Sequence, residues 1–467
     1  MSVLQSEITA GVCERIVECG AKPLEERLLP GVRQLFLDGI AVAVAGPQLE
    51  PASRLLVEHF IDPLTGTGTA SAASLLGLNQ RLGTVQAALV NGASMHVLDF
   101  EPMWLPATHA LSPALAPALS LGETLGASGA KILTAMVLGI EMQGRLRAAA
   151  IDLESDELNF HPPGFVGPIG AAIAAGHLLD FDAAQFANAI GIAGSRCGGL
   201  FVNLGTMTKA SHCGYAAALG LEAALLTRRG FTGITTLFDP ACQSYADAFF
   251  PHGFSAESLL DFGNPYRIED PGYAIKIFPA KYSTHYAITA ALLARPRISN
   301  MDAIRKIRIK AADIPSSDRP FPHSGLDGKF SLQFTTAVAL LDGKINLDSF
   351  TDERLAHADV QMLLSKTETE LSRNISSIYT AGRYLDLEIE LENGEIILER
   401  CERPRGAWGS PKISTEEHLD KVRYCLATYM LPDAIEACIR LCGQIDSLDG
   451  QGVRKLLRLA STGKEEA

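Results

Sequence analysis

Residues 209–230 read KASHCGYAAALGLEAALLTRRG, a run in which alanine, leucine and glycine fill almost every position between Lys209 and the closing arginines. Alanine and leucine favour helix, and Gly230 supplies a stop signal. The run is apolar or small nearly all round, so it reads as a central helix enclosed by other helices rather than one lying on a surface. Working outward, the same texture recurs in GVRQLFLDGIAVAVAG (31–46), GTVQAALVNGASMHVLDF (83–100) and AKILTAMVLGIEMQGRLRAAA (130–150). From about residue 28 to 230 the pattern is helix after helix. Small residues at that density suit helices packed backbone to backbone.

The character changes near Lys276. IRKIRIKAA (304–312) alternates, with Ile307, Ile309 and Ala311 on one face and Arg308 and Lys310 on the other, as a half-buried strand does. YLDLEIELENGEIILERCE (384–402) alternates through Leu385, Leu387, Ile389 and Leu391, and its Asn393-Gly394 pair signals a hairpin whose two turn residues tolerate positive φ. Helical stretches are expected between them at 331–343 and 352–367, and again after 415. The fold class is therefore mainly α: a large, discontinuous helical bundle domain (1–275 and 403–467) with a smaller α+β domain (276–402) inserted toward the C-terminal half. A cleft between two such domains is a natural place for a small-molecule site.

The chain has 467 residues, 47% of them hydrophobic and 7% aromatic, ample for a buried interior. A formal charge of −13 argues against nucleic-acid binding, which needs a basic face, and makes any local cluster of cations informative. The nine cysteines (13, 19, 197, 213, 242, 401, 425, 438 and 442) form no C-x-x-C pair and no zinc spacing, as suits reduced thiols. The first twenty residues lack a basic segment followed by an apolar one, and apolar runs such as ILTAMVLGI (132–140) are too short to span a bilayer. The expectation is a cytoplasmic protein with no membrane partner.

Four segments carry candidate chemistry. MHVLDFEPMWLPATHALSP (95–113) breaks a helix at Asp99 and restarts it after Thr108 and His109; His96, Asp99, Glu101 and His109 could be read as metal ligands, but their spacing fits no common zinc signature. In NFHPPGFVGPIGAA (159–172), His161 stands before a helix N-terminus, where anions bind. In GTMTKASHCGYAAALG (205–220), Thr208 is a candidate N-cap, and Lys209 and His212 share a helix face. YAIKIFPAKYSTHYAI (273–288) brings Lys276, Lys281 and His285 to the domain junction, where one lysine could clamp a carboxylate and a desolvated one serve as base. Each also has a plain structural reading: a capped helix connection, a loop histidine, a core histidine beside a solvated lysine, or surface lysines. No phosphate-binding loop, nucleophile elbow or dinucleotide fingerprint is present, so no cofactor is demanded.

Taken in order, LDFEPMWLPATH, GFVGPIGAA, GTMTKASHCGYAA and IKIFPAKYSTHYA, with KFSLQFTTAVALLDGKI (329–345) in the smaller domain, resemble the MmgE/PrpD family, over about residues 28–430. The resemblance implies a homodimeric enzyme without cofactor or metal, whose site lies between the domains and takes a small polycarboxylate. It carries catalytic roles onto Lys281, His109, His161 and Lys209, and substrate-binding roles onto Asp99, His212, Lys276, Met103 and Phe334. Family members that decarboxylate carry histidine, tyrosine and threonine where this chain has Lys281, Phe334 and Met103. The resemblance therefore leads to the expectation of an epimerase that removes a proton α to a carboxylate of a substrate such as iminodisuccinate, with a base and an acid on opposite faces of the carbon. A dehydratase of the 2-methylcitrate type and a non-catalytic carboxylate-binding protein are the alternatives.

Overall fold

Four apolar helices set the centre of the molecule: Thr84–His96, Leu111–Leu125, Pro162–Leu178 and Met207–Arg228. They belong to a computed structural model that describes residues 7–62, 72–151, 158–241, 243–377, 382–406, 408, 410 and 412–463. Met207–Arg228 packs along both Pro162–Leu178 and Thr84–His96. Glycines permit that approach: a Cβ on Gly214 would lie 2.4 Å from the Leu89 carbonyl oxygen, and one on Gly220 would lie 2.2 Å from that of Pro168. The small-residue composition thus becomes close helix contact.

Around this centre lie Leu29–Leu49, Gly129–Ala148 and Ala183–Gly194, and the C-terminal helices Thr415–Leu426, Pro432–Gly443 and Gly450–Thr462 return to pack on Leu29–Leu49 and Leu111–Leu125. Leu29–Leu49 is long and apolar enough to cross a membrane, which the shorter runs weighed in the sequence are not. Its residues from Leu35 to Pro47 are all buried in the protein, the pattern of a core helix.

The second large apolar cluster draws only on residues between Phe278 and Cys401. Its sheet has the strand order Thr367–Ser372, Ile304–Ala312, Leu385–Leu391, Ile396–Cys401, the first pair parallel and the others antiparallel. Ile307, Ile309, Leu387 and Ile389 face the helices Thr284–Ala294 and Leu332–Asp342, while the outer face carries cross-strand charge pairs such as Lys310–Glu370 at 2.7 Å. The expected hairpin is present, with a different turn: Gly394 N–H donates to the Leu391 carbonyl, and Gly394 alone takes positive φ (85°), a three-residue bulged loop rather than a two-residue one. The expected helix over 352–367 is two short ones, Asp352–Ala356 and Ala358–Ser365, because His357 leaves the helical conformation at φ −65°, ψ 139°.

A short antiparallel pair, Met103–Trp104 with Tyr273–Ala274, ties the loop after Thr84–His96 to the segment that enters the second cluster. That pairing joins the first and the last of the four chemical segments. Among the described residues the cysteines are free thiols; Cys242, the N-terminal residues 1–6 and the C-terminal residues 464–467 lie outside them.

Candidate active site

Asp99 follows the end of Thr84–His96 and takes the left-handed conformation at φ 52°, uncommon outside glycine and asparagine. Its carboxylate accepts from Lys209 Nζ at 2.7 Å through Oδ2 and from Lys276 Nζ through Oδ1. Lys276 also donates to the backbone oxygens of Asp99 (3.0 Å) and Ala280 (3.1 Å), so all three of its N–H groups have acceptors. Burial works against a charged Asp99, but the amines of Lys209 and Lys276 outweigh it and hold the carboxyl well below its ordinary range. Burial likewise pulls Lys276 down to about 8, against the attraction of Asp99.

Four histidines gather beside this pair. His161 is the N-cap residue of Pro162–Leu178, and its Nδ1 lies 3.3 Å from His212 Nδ1. His109 Nε2 is 3.7 Å from Asp99 Oδ1, and the His96 and His109 rings meet edge-on with centroids 4.5 Å apart. His96 Nδ1 contacts Glu101 Oε1 at 2.6 Å. Burial first, then the neighbouring lysines, hold His96, His109 and His161 well below the ordinary imidazole value and His212 down to about 4. At neutral pH these rings are uncharged and able to accept protons.

Lys281 approaches from the other side. Its Nζ donates to Ser316 Oγ (2.6 Å) and Ser317 Oγ (2.9 Å) in a short 3₁₀ turn. Among the described residues no carboxylate pairs with it, and burial, then Arg319 and Arg383, lower its pKa well below that of an ordinary lysine. Between Lys281 and the histidines lies a cavity that opens to solvent. Asp99, Met103, His109, His161, Lys209 and Lys281 all line it.

Of the residues singled out in the sequence, these six therefore share one cavity. Lys276 and His212 stand behind it, holding Asp99 and His161. Phe334 does not reach it: the ring is fully buried in the second cluster, near Phe350 and over Gly328. Thr206, not Thr208, is the N-cap residue of Met207–Arg228, because the helix already begins at Met207. Sequence reading missed Ser316, Tyr282, Phe201 and Phe330, which complete the walls. Tyr282 and Phe330 stand inside segments already quoted, beside Lys281 and Lys329, but nothing in those segments marks either ring as a cavity wall; Phe201 and Ser316 stand outside every quoted segment.

His96, His109 and His161 each offer a ring nitrogen, all within 4.8 Å of one another, as do donor atoms of His96, Glu101 and Cys213. The electrostatics oppose a cation there. The amines of Lys209 and Lys276 share one ionised carboxylate, and burial pushes Glu101 up to about 8, toward its neutral form. Such surroundings favour an anion.

A cavity with two amines, unprotonated imidazoles and one captive carboxylate suits a small anion. The chain belongs to the MmgE/PrpD family: it matches the family's N-terminal domain over residues 12–256 and its C-terminal domain over residues 278–443. It is 31% identical to cis-aconitate decarboxylase of Mus musculus over 459 residues, covering 95% of this chain and 92% of that one. The Homo sapiens enzyme of the same name is 32% identical over 440 residues (91% and 89%). The 2-methylcitrate dehydratase of Escherichia coli is 26% identical over 313 residues (62% of each chain).

Proposed function

We propose that this chain is a lyase that acts on a small tricarboxylate of the aconitate or citrate type, making or breaking a C–H bond next to a carboxylate without a cofactor. The observation that carries this reading is the meeting of Lys209, Lys281, His109 and His161 in one cavity. A carbon next to a carboxylate holds its proton tightly, because ionisation gives a doubly charged enediolate. Amines fixed at the carboxylate oxygens stabilise that charge as it forms, and an uncharged imidazole within reach accepts or returns the proton. Relatives named for decarboxylating cis-aconitate and for dehydrating 2-methylcitrate support a lyase outcome. The position of Phe334, away from the cavity, weakens the objection to decarboxylation that its missing hydroxyl would raise.

Epimerisation of a substrate such as iminodisuccinate is the second reading, and Lys281 favours it. A depressed amine on one wall, facing His109 and His161 on the other, is what proton exchange at both faces of one carbon requires. The same proposal includes a homodimer. Leu200, Val202 and Met207, exposed on the loop and helix start beside the cavity, are its suggested contact.

The test is proton NMR in D2O with cis-aconitate, 2-methylcitrate and stereochemically pure iminodisuccinate in separate tubes. Terminal methylene signals from cis-aconitate, or olefinic signals from 2-methylcitrate, support the lyase. Exchange and stereoisomer formation from iminodisuccinate alone would replace it with the epimerase.

A further inference from the structure

Glu101 has no exposed surface, yet its carboxyl oxygens are placed with care. Oε2 accepts the Ser112 N–H (3.0 Å) in the first turn of Leu111–Leu125, and Oε1 accepts the Ser112 hydroxyl (2.9 Å). The same Oε1 lies 2.6 Å from His96 Nδ1 and 3.6 Å from His109 Nδ1. His109 Nδ1 has no hydrogen-bond partner among the described residues, and Glu101 Oε1 is the carboxylate oxygen beside it. His109 Nε2, at the opposite edge of the ring, lies on the Asp99 side, and the ring lines the cavity. One carboxyl oxygen thus stands behind the ring of a cavity-lining histidine, with Asp99 toward its opposite edge.

We infer that Glu101 is the positioning residue of His109, holding its proton on Nδ1 so that Nε2 presents a lone pair to the cavity. The inference rests on the carbon-acid reading above and names the base within it. In the forward step the substrate C–H bond breaks, its electron pair stays on carbon as the enediolate, and the proton goes to His109 Nε2. The ring is then a cation whose Nδ1–H points at Glu101, and the anionic carboxylate stabilises it. In a dehydration the enediolate electron pair then expels the hydroxyl, which takes the proton from Nε2 and leaves as water; in an epimerisation the carbon takes a proton back; either way His109 and Glu101 are restored. A neutral histidine with its proton on Nε2 could do none of this.

The groups that face Glu101 are His96 from Thr84–His96, Lys209 and Cys213 from Met207–Arg228, Lys276 from the segment after Tyr273–Ala274, and His109 and Asp99 of its own loop. Burial is the main reason its pKa is pushed up to about 8, so the ionised form grows in as the pH rises past neutrality. The rate should follow it.

Two measurements decide the matter. In protein labelled with 15N-histidine, the His109 resonances (identified by their loss in His109→Gln) should report Nδ1 protonated in the parent at pH 8.5 and a tautomer shift in Glu101→Gln. With the substrate that the NMR assay selects, Glu101→Gln should lower kcat about 100-fold, leave KM within about threefold, and erase the rise in rate between pH 7 and 9. A parent His109 protonated on Nε2, or a Glu101→Gln enzyme with unchanged kcat and pH profile, overturns the inference while the lyase reading stands. If no polycarboxylate is turned over, that reading fails, and the tautomer still decides the role of Glu101.

Discussion

Lys209 lines the cavity, holds Asp99 and lies over an aromatic ring, with Nζ 5.2 Å from the Phe330 centroid. Lys209→Met keeps the volume and removes the charge, so it should lower kcat/KM by about 100- to 1,000-fold, the usual cost of losing one preorganised donor. Steady-state kinetics beside Lys209→Arg would show whether charge or shape is responsible. The pH dependence of folding has two opposing sources. His96, His109 and His161 bind protons less readily folded than unfolded, so the stability they contribute is present above about pH 6.5 and lost as the pH falls below it. Glu101 binds its proton more readily folded, so stability falls as the pH rises from about 4.3, the unfolded value, toward 8. Urea titrations of Glu101→Gln from pH 5 to 8 should therefore lose the downward component, at most about 1.4 kcal/mol per pH unit, and keep the loss below pH 6.5.

Helices pack here as closely as their glycines allow. Gly220→Ala places a methyl group against the Pro168 carbonyl and Ala171, so Met207–Arg228 must shift outward, at about 1–3 kcal/mol in stability by chemical denaturation. Because Lys209 rides on that helix, activity should fall with it. At this scale the sequence is easiest to read. Alanine and glycine at every turn of residues 207–228 announce a buried helix, and the alternation through Ile307 and Ile309 announces a strand, because each pattern reports one local environment. The site is harder to read because its contacts join residues distant in the chain. Lys209, Asp99 and Lys281 stood in recognisable segments and meet at the cavity. Ser316 became a wall residue only because a 3₁₀ turn folds over Lys281. Phe334 shows the reverse: its segment was legible, but the ring turns inward against Gly328. The approach of Glu101 to His109 was not legible either, since the sequence grouped the two only as possible metal ligands whose spacing fits no common zinc signature.

Across the whole molecule, a second buried charge cluster lies behind the first. Asp38 of Leu29–Leu49 accepts from His418 Nε2 (3.1 Å) and Lys421 Nζ, and Lys421 donates onward to the backbone oxygen of Phe100 (2.8 Å). Lys421→Met would leave Asp38 buried with only a histidine beside it, a loss of about 3–5 kcal/mol by urea denaturation. The same variant should lower kcat at temperatures where it remains folded, because Phe100 sits between Asp99 and Glu101.

Two consecutive carbonyls, those of Asp99 and Phe100, are thus gripped by lysines that arrive from remote parts of the chain, Lys276 and Lys421. The left-handed turn at Asp99 is held from both sides, by Lys276 from the segment after Tyr273–Ala274 and by Lys421 from Thr415–Leu426. A chain cut before Thr415 would keep Lys209 and Lys276 on Asp99 but lose the Lys421 anchor on the Phe100 carbonyl. The shape of the cavity thus leans on a helix, Thr415–Leu426, that gives it none of its lining residues.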